Sequence, residues 1–144
     1  MNKQKGFTII ELLVVVAIIA VLAAIVLVNV TSYITKGKDA AARGNLATAL
    51  TNAAVYYDTN GNYDDWITNG TGSAGDPTWL SVYNALNNAG YTLTTSCDVA
   101  NCAATSTAWC AMFTLKASTN TYCVDSTGNK TEKAGGTCAA GVCG

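Results

Sequence analysis

An uninterrupted apolar run near the N-terminus constrains this chain more than any other feature. Leu12 to Val28 are 17 uncharged apolar residues without a break, and Phe7 to Val28 are 22 residues with one charge, Glu11. As a helix, the longer stretch would measure about 33 Å, against about 30 Å for the hydrocarbon core of a bilayer. The run therefore predicts a helix that crosses a membrane.

Glu11 is costly in such a helix. Insertion scales assign an acid at the bilayer centre a cost of about 2.5–3.5 kcal/mol. A buried carboxylate is tolerable when a cation pairs with it, so Glu11 predicts a cationic partner. Lys3 and Lys5 precede the run, and basic residues tend to remain cytoplasmic, so the residues after the helix are predicted to be exported.

The chain is predicted to have three segments: a short basic leader at 1–6, a transmembrane helix at 7–30, and an exported globular domain at 31–144. The helix is expected to continue to about residue 57, because residues 31–57 contain no Pro and much Ala. Its first half is apolar all round. Its second half is expected to be amphipathic, with polar positions at Lys36, Lys38, Asp39 and Arg43 and an apolar stripe at Leu46, Leu50, Ala53 and Tyr57.

A second helix is predicted at 77–90. Asp76 is its expected N-cap, Pro77 suits its first turn, and Gly90 its end. The side chains expected on its buried face are Leu80, Tyr83 and Leu86.

The hydrophobic period then changes to two, which is typical of strands. A hairpin is expected from strands at 108–115 and 121–126, and residues after 126 are expected to form a loop. The core-facing side chains are predicted to be Trp109, Ala111, Phe113, Leu115, Tyr122 and Val124. The fold class is thus α+β: a long N-terminal helix packed against a small antiparallel sheet, with a disulfide-stapled C-terminal loop.

Six cysteines follow the apolar segment: Cys97, Cys102, Cys110, Cys123, Cys138 and Cys143. An even number in an exported domain favours disulfides in an oxidising compartment, although six cysteines allow 15 pairings. The pairing preferred here is sequential, because Cys110 and Cys123 both point away from the apolar strand face: Cys97–Cys102, Cys110–Cys123 and Cys138–Cys143. The alternative is a four-thiolate zinc site, for which the x₄ spacing within each outer pair is wider than usual.

The composition argues against several functions. The chain has no His, which is the commonest general base and metal ligand. Asp98, Asp125 and Glu132 are too scattered for calcium and are expected to be solvated. Without residues 1–6, six bases face nine acids, so no dedicated nucleic-acid site is expected. We therefore expect no catalysis, no metal and no cofactor.

The stretch "KGFTIIELLVVVAIIAVLAAI" resembles the N-terminus of type IV prepilins and type II secretion pseudopilins. The matching features are a short basic leader, Gly6, Phe7, Thr8, Glu11 and the apolar run. An ordinary signal peptide has an apolar core of about 7–15 residues, and neither it nor a plain anchor accounts for Glu11 or for the Gly6–Phe7 junction.

The resemblance implies how the chain is processed and assembled. Prepilin peptidase would cut between Gly6 and Phe7 and methylate the new amine of Phe7. Glu11 would pair with that amine on a neighbouring subunit, and inner-membrane assembly machinery would build a helical homo-oligomer. The chain would be a single-pass inner-membrane protein first and part of an extracellular pilus afterwards.

Three functions remain open at this point. The first is the major subunit of a type IV pilus, serving adhesion, twitching motility or DNA uptake. The second is a type II secretion pseudopilin in a periplasmic pseudopilus. The third is a minor pilin that binds a surface or DNA at the filament tip. The cysteine-rich C-terminus and few acids of the calcium-binding kind favour the first.

Overall fold

The computed structural model describes residues 6–68, 74–97 and 106–144. The chain forms two compact units, Met1–Thr35 and Lys36–Gly144. Helix α1 spans Ile9–Asn60, close to the predicted bounds. Residues 6–27 are exposed throughout, and the helix is long and apolar enough to cross a membrane. A surface that is apolar all round requires an apolar environment, which is what the sequence predicts for this segment.

The buried stripe of α1 in the second unit differs from the predicted one. Leu46 and Ala53 are buried as expected, but Leu50 is half-buried and Tyr57 is 38% exposed. The observed stripe steps by three and four residues and consists of Asp39, Ala42, Leu46, Ala49 and Ala53. It is mostly alanine, which lets neighbouring elements approach the helix backbone closely.

Helix α2 spans Pro77–Asn88, with Pro77 in its first turn and Asp76 as N-cap accepting a hydrogen bond from the Thr78 amide. Gly90 ends it as predicted, with φ 79° and an amide that donates to the Asn87 carbonyl at 2.8 Å. The predicted buried face is right only in part, because the buried side chains are Trp79, Val82 and Leu86.

The described residues also form three antiparallel sheets. Strands β1 (Ile67–Thr68) and β2 (Ala74–Gly75) pair with each other. The main sheet has the order β3-β4-β5-β6, formed by Leu93–Cys97, Trp109–Thr114, Asn120–Asp125 and Lys130–Ala134. A short C-terminal hairpin pairs β7 (Cys138–Ala139) with β8 (Val142–Cys143). The predicted α+β architecture is confirmed.

The predicted β4–β5 hairpin is confirmed, but the expectation of a loop after residue 126 is wrong. β6 lies within that segment, and its sequence KTEKA has no apolar alternation because it is an exposed edge strand. Polar edge strands are a common protection against unwanted strand pairing, and they leave no hydrophobic signal in the sequence.

One hydrophobic core holds the second unit together. The predicted β4 face of Trp109, Ala111, Phe113 and Leu115 is buried, and it belongs to the same cluster as the buried residues of α1 and α2. Three fully buried tryptophans meet in this core, with ring centroids 6.2–6.3 Å apart for each pair: Trp66, Trp79 and Trp109.

The sequential disulfide pairing is wrong for four of the cysteines. Cys110 bonds to Cys138, and Cys123 bonds to Cys143. The C-terminal hairpin is thereby bonded to the two central strands of the main sheet. The predicted Cys97–Cys102 pairing lies outside the described residues, since Cys102 is not among them.

Strand register explains the error. Cys110 lies opposite Asp125, and Cys123 lies opposite Met112, so the two cysteines are not directly across from each other. Both are buried away from the main core, as predicted, in a second small cluster that includes Cys143. Because β7 and β8 cover this face, each strand cysteine bonds to the hairpin and not to its neighbour.

Candidate processing and assembly site

Gly6, Phe7 and Thr8 lie in exposed, non-helical chain directly before α1. Phe7 is 76% exposed, and a side chain added at Gly6 would meet nothing within 4 Å. α1 begins two residues after Phe7, at Ile9. The Gly6–Phe7 peptide bond is thus geometrically open to another protein.

Thr8 and Glu11 form a capping box at the start of α1. The Thr8 amide and hydroxyl each donate to Glu11 Oε2 at 2.8 Å. In return, the Glu11 amide donates to Thr8 Oγ1 at 3.2 Å. This reciprocal arrangement satisfies amide groups that the first turn of a helix otherwise leaves unpaired.

The capping box uses one of the two oxygens of the Glu11 carboxylate, Oε2. Within residues 6–68, 74–97 and 106–144, no hydrogen bond reaches Glu11 Oε1, and no Lys or Arg forms an ion pair with the carboxylate. As far as the described residues go, the negative charge is therefore held in a fixed orientation with Oε1 still open. Such a group can accept a hydrogen bond from a cation supplied from outside the described chain.

Asp39 is a buried carboxylate that the sequence reasoning missed, having assigned it to a polar surface position. It is 2% exposed. Its Oδ1 accepts from the Tyr91 hydroxyl at 2.6 Å and from the Lys116 amide at 2.9 Å, and its Oδ2 accepts from the Ala117 amide at 2.8 Å. Burial raises the pKa of Asp39, but these hydrogen bonds, with help from nearby Arg43, outweigh it and leave the pKa below its usual value.

Asp125 is the second buried carboxylate, and the expectation that it is a solvated surface acid is wrong. It accepts backbone hydrogen bonds from Cys143 at 3.1 Å and Thr127 at 3.0 Å, which join strand β8 to the β5–β6 turn. Burial raises its pKa, but bonds from the Thr127 side chain and these amides lower it overall. Glu132 is exposed and forms an ion pair with Arg43 at 2.8 Å, and Asp98 lies outside the described residues.

Two comparisons with known proteins found matches. A family model described as the prokaryotic N-terminal methylation motif matches residues 1–27. The chain carries this methylation motif. Two curated relatives, a type IV major alpha-pilin and a fimbrial protein Q, both of Moraxella bovis, are each 51% identical to this chain over 51 residues. The match covers 35% of this chain and 32% of each relative, and no solved structure matches the chain.

Within the methylation motif, Thr8 is the residue whose structural role the sequence reasoning did not identify. The signal was present, since a Thr followed three residues later by Glu, ahead of an apolar run, is typical of a capping box. No comparable signal exists for Asp39, whose partners lie 52, 77 and 78 positions away along the chain.

Proposed function

We propose that this chain is the structural subunit of a type IV pilus filament. Prepilin peptidase cuts it between Gly6 and Phe7 and methylates the new amine of Phe7. The subunit then leaves the inner membrane and joins a helical homo-oligomer. The observation that carries the proposal is the Thr8–Glu11 capping box at the start of α1, whose residues 9–27 are exposed and, apart from Glu11, apolar.

The exposed apolar part of α1 suits both environments that the proposal requires, the membrane and the core of a filament. Residues 9–27 have no polar face except Glu11, so they are stable in lipid or among other apolar helices. A bundle of such helices buries the same side chains as a bilayer does. Transfer from membrane to filament therefore exchanges one apolar environment for another and leaves the helix itself unchanged.

Glu11 makes the filament more favourable than the membrane for this helix. In lipid, the partner that residues 6–68, 74–97 and 106–144 offer to its charge is Thr8, through two hydrogen bonds. In the filament, Oε1 meets the amine of Phe7 on a neighbouring subunit, and both charges are neutralised. Because each subunit supplies one acid and one amine, the pairing repeats from copy to copy and fixes the axial register of an open assembly.

The disulfides support an exported location for the second unit. Cys110–Cys138 and Cys123–Cys143 are both formed. Disulfides persist in oxidising compartments and are rare in the cytosol. This supports our proposal that residues 31–144 lie on the side of the membrane opposite the basic leader, in accordance with the positive-inside rule.

The test is a mass spectrum of filaments sheared from cells that express the full chain. We expect abundant long fibres made of a chain that begins with methylated Phe7. This chain should be six hydrogens lighter than its reduced form, four for the two disulfides described above and two for the predicted Cys97–Cys102 bond. The same processed chain confined to the membrane fraction, with no fibres, would contradict a major pilin and favour a pseudopilin or minor pilin. An intact Met1 would contradict the processing itself.

A further inference from the structure

Acidic side chains gather where α1 ends in the second unit. Asp58 lies in the last turn of the helix, and Asp64 and Asp65 follow it. Asp76 is held beside them, since its amide donates to the Asp65 carbonyl at 2.9 Å. We call these four residues the acidic pole.

The charges of the acidic pole have no cationic partner in the described parts of the chain, where the one ion pair is Arg43–Glu132. The last turn of α1 contains no basic residue, although the C-terminal end of a helix carries partial negative charge and favours cations. The neighbouring Tyr56 is affected: burial raises its pKa, and the charges of Asp65, Asp76 and Asp64 raise it further. Asp76 is stabilised at the N-terminus of α2, which it caps, but the charges of Asp58, Asp64 and Asp65 lie at or just beyond the negative end of α1, which is unfavourable within one subunit.

Basic side chains gather at the other end of the same unit. Lys36, Lys38 and Arg43 lie on α1. The Asp39 hydrogen bonds hold the β4–β5 turn, with Lys116, beside this part of the helix. The pairing of Lys133 with Thr121 brings strand β6 to the same end. We call Lys36, Lys38, Arg43, Lys116 and Lys133 the basic pole.

The basic pole keeps a net positive charge after its acids are counted. Asp39 and Glu132 are the two acids there, and both accept bonds from their own subunit. Five bases against these two acids leave a net charge of +3, against −4 at the acidic pole. The side chains of Lys36, Lys38 and Lys133 are exposed. Lys116 is exposed too, but its ammonium donates to the Ala89 carbonyl at 2.6 Å and lies over the Tyr91 ring, so Lys116 adds positive charge to the pole without being a free donor.

The two poles lie far apart along one unit. Residues 36 and 58 are separated by 22 positions of α1, which is about 33 Å of helix. The main sheet follows the same direction, because its turn at Lys116 meets Asp39 while its Trp109 end meets Trp66 and Tyr63. A pole on one copy therefore cannot reach the opposite pole of its own copy.

We propose that the acidic pole of one copy of this chain docks on the basic pole of a second copy that is offset by about 33 Å along the helix axis, and therefore not on the neighbour whose Phe7 amine meets Glu11. The partner is a second copy, since the same chain carries two complementary, opposite charges at its two ends. The contact is heterologous, and it extends into an open row of subunits. It supplies the cations that the end of α1 lacks, and it sets register through charge pairs. This proposal rests on the proposed filament and assigns it a second interface, distinct from Glu11.

Cross-linking between carboxylates and amines tests the contact directly. Cells producing the full chain with ¹⁴N and cells producing it with ¹⁵N supply subunits for mixed filaments. These are treated with a zero-length carbodiimide, which joins only Lys and Asp or Glu side chains already in contact. We expect mixed-label peptides that join Lys36 or Lys38 to Asp64, Asp65 or Asp76. Mixed-label peptides that lack every pole-to-pole pair would overturn the proposal.

Charge reversal provides the second test. We expect Lys36→Glu/Lys38→Glu to lower the yield of sheared filaments at least about tenfold, because like charges then face each other across the contact. Asp64→Lys/Asp65→Lys should cause a similar loss. The chain carrying all four changes has both poles inverted and should recover most of the yield. Failure of this rescue, with the chain folded and processed, would refute the docking of the two poles.

Lys130→Glu is the matched control. Lys130 is exposed on the same strand as Lys133 but pairs with Val124 toward the Trp109 end of the main sheet, so it lies outside the basic pole, and Lys130→Glu places no acid at the basic side of the contact. We expect its filament yield to equal that of the wild type.

Failure of the filament proposal would be seen separately. If the wild-type chain forms no fibres, the cross-linking is done on isotope-mixed full chain concentrated in detergent micelles. Pole-to-pole pairs found there would support the docking although the pilus assignment had failed, and their absence would end both proposals.

Discussion

Replacing Asp39 with Asn tests how strongly one buried carboxylate holds the second unit together. The carboxylate accepts three hydrogen bonds, from Tyr91, Lys116 and Ala117. Asn retains one acceptor oxygen but presents an NH₂ group to the Ala117 amide. The Ala117 amide is then a buried donor without an acceptor, which costs about 1–3 kcal/mol of stability. The bonds from Tyr91 and Lys116 remain, but they now end on a neutral oxygen and are weaker than bonds to a carboxylate. We expect the free energy of unfolding to fall by about 2–4 kcal/mol in total.

The loss converts into a shift of the melting temperature. The unit Lys36–Gly144 has 109 residues, so its entropy of unfolding is about 0.23 kcal/mol/K and each kcal/mol corresponds to about 4 °C. We expect the Asn variant to melt roughly 9–17 °C below the wild type. The three buried tryptophans report the transition by fluorescence, with the full chain in detergent micelles at neutral pH.

The pH dependence of this difference has a definite sign. The folded pKa of Asp39 lies below its unfolded value, so its contribution is fully present above about pH 4 and is lost as the pH falls through the folded pKa. The gap between wild type and variant should therefore shrink below about pH 4. Asp58→Asn is the control, since Asp58 is exposed, and should change stability by less than about 0.5 kcal/mol. Equal melting of Asp39→Asn and wild type at neutral pH would refute the reasoning.

Three further predictions concern processing, assembly and the disulfides. Glu11→Val should insert into membranes at least as well as the wild type, because it removes a charge from lipid, yet should yield few filaments; normal yield would exclude the pairing role. Gly6→Leu should leave the leader attached, as seen by mass spectrometry, and a processed Gly6→Leu chain would argue against cleavage by prepilin peptidase. Replacing both cysteines of one disulfide with Ser, either Cys110 and Cys138 or Cys123 and Cys143, should lower the free energy of unfolding by about 3 kcal/mol, because the loops they close span 28 and 20 positions. Thermal unfolding measures the change, and a loss below about 1 kcal/mol for both pairs would contradict a stabilising role.

Local sequence signals predicted the elements of the fold well. The apolar run gave the start of α1, the period of two gave β4 and β5, and Asp76, Pro77 and Gly90 marked the limits of α2. These signals work because each depends on residues a few positions apart. The proposed processing and assembly residues Gly6, Phe7 and Glu11 also lie within one short segment, and their roles stay predictions.

Features that depend on distant contacts were not predicted. Asp39 is buried only because a turn 77 positions later supplies amides to it. The disulfide pairing follows from a strand register that differs by two residues from the one a direct Cys110–Cys123 bond requires. β6 is polar and pairs with β5 through its backbone, and backbone pairing does not depend on the side-chain pattern.

The two disulfides have a consequence for proteolysis. Their spans overlap, since Cys123 lies between Cys110 and Cys138, and Cys138 lies between Cys123 and Cys143. A single cut anywhere between Cys110 and Cys143 is therefore bridged by at least one bond. A protease that cleaves after the exposed Lys130 or Lys133 would release no fragment, and the nick would become visible only after reduction.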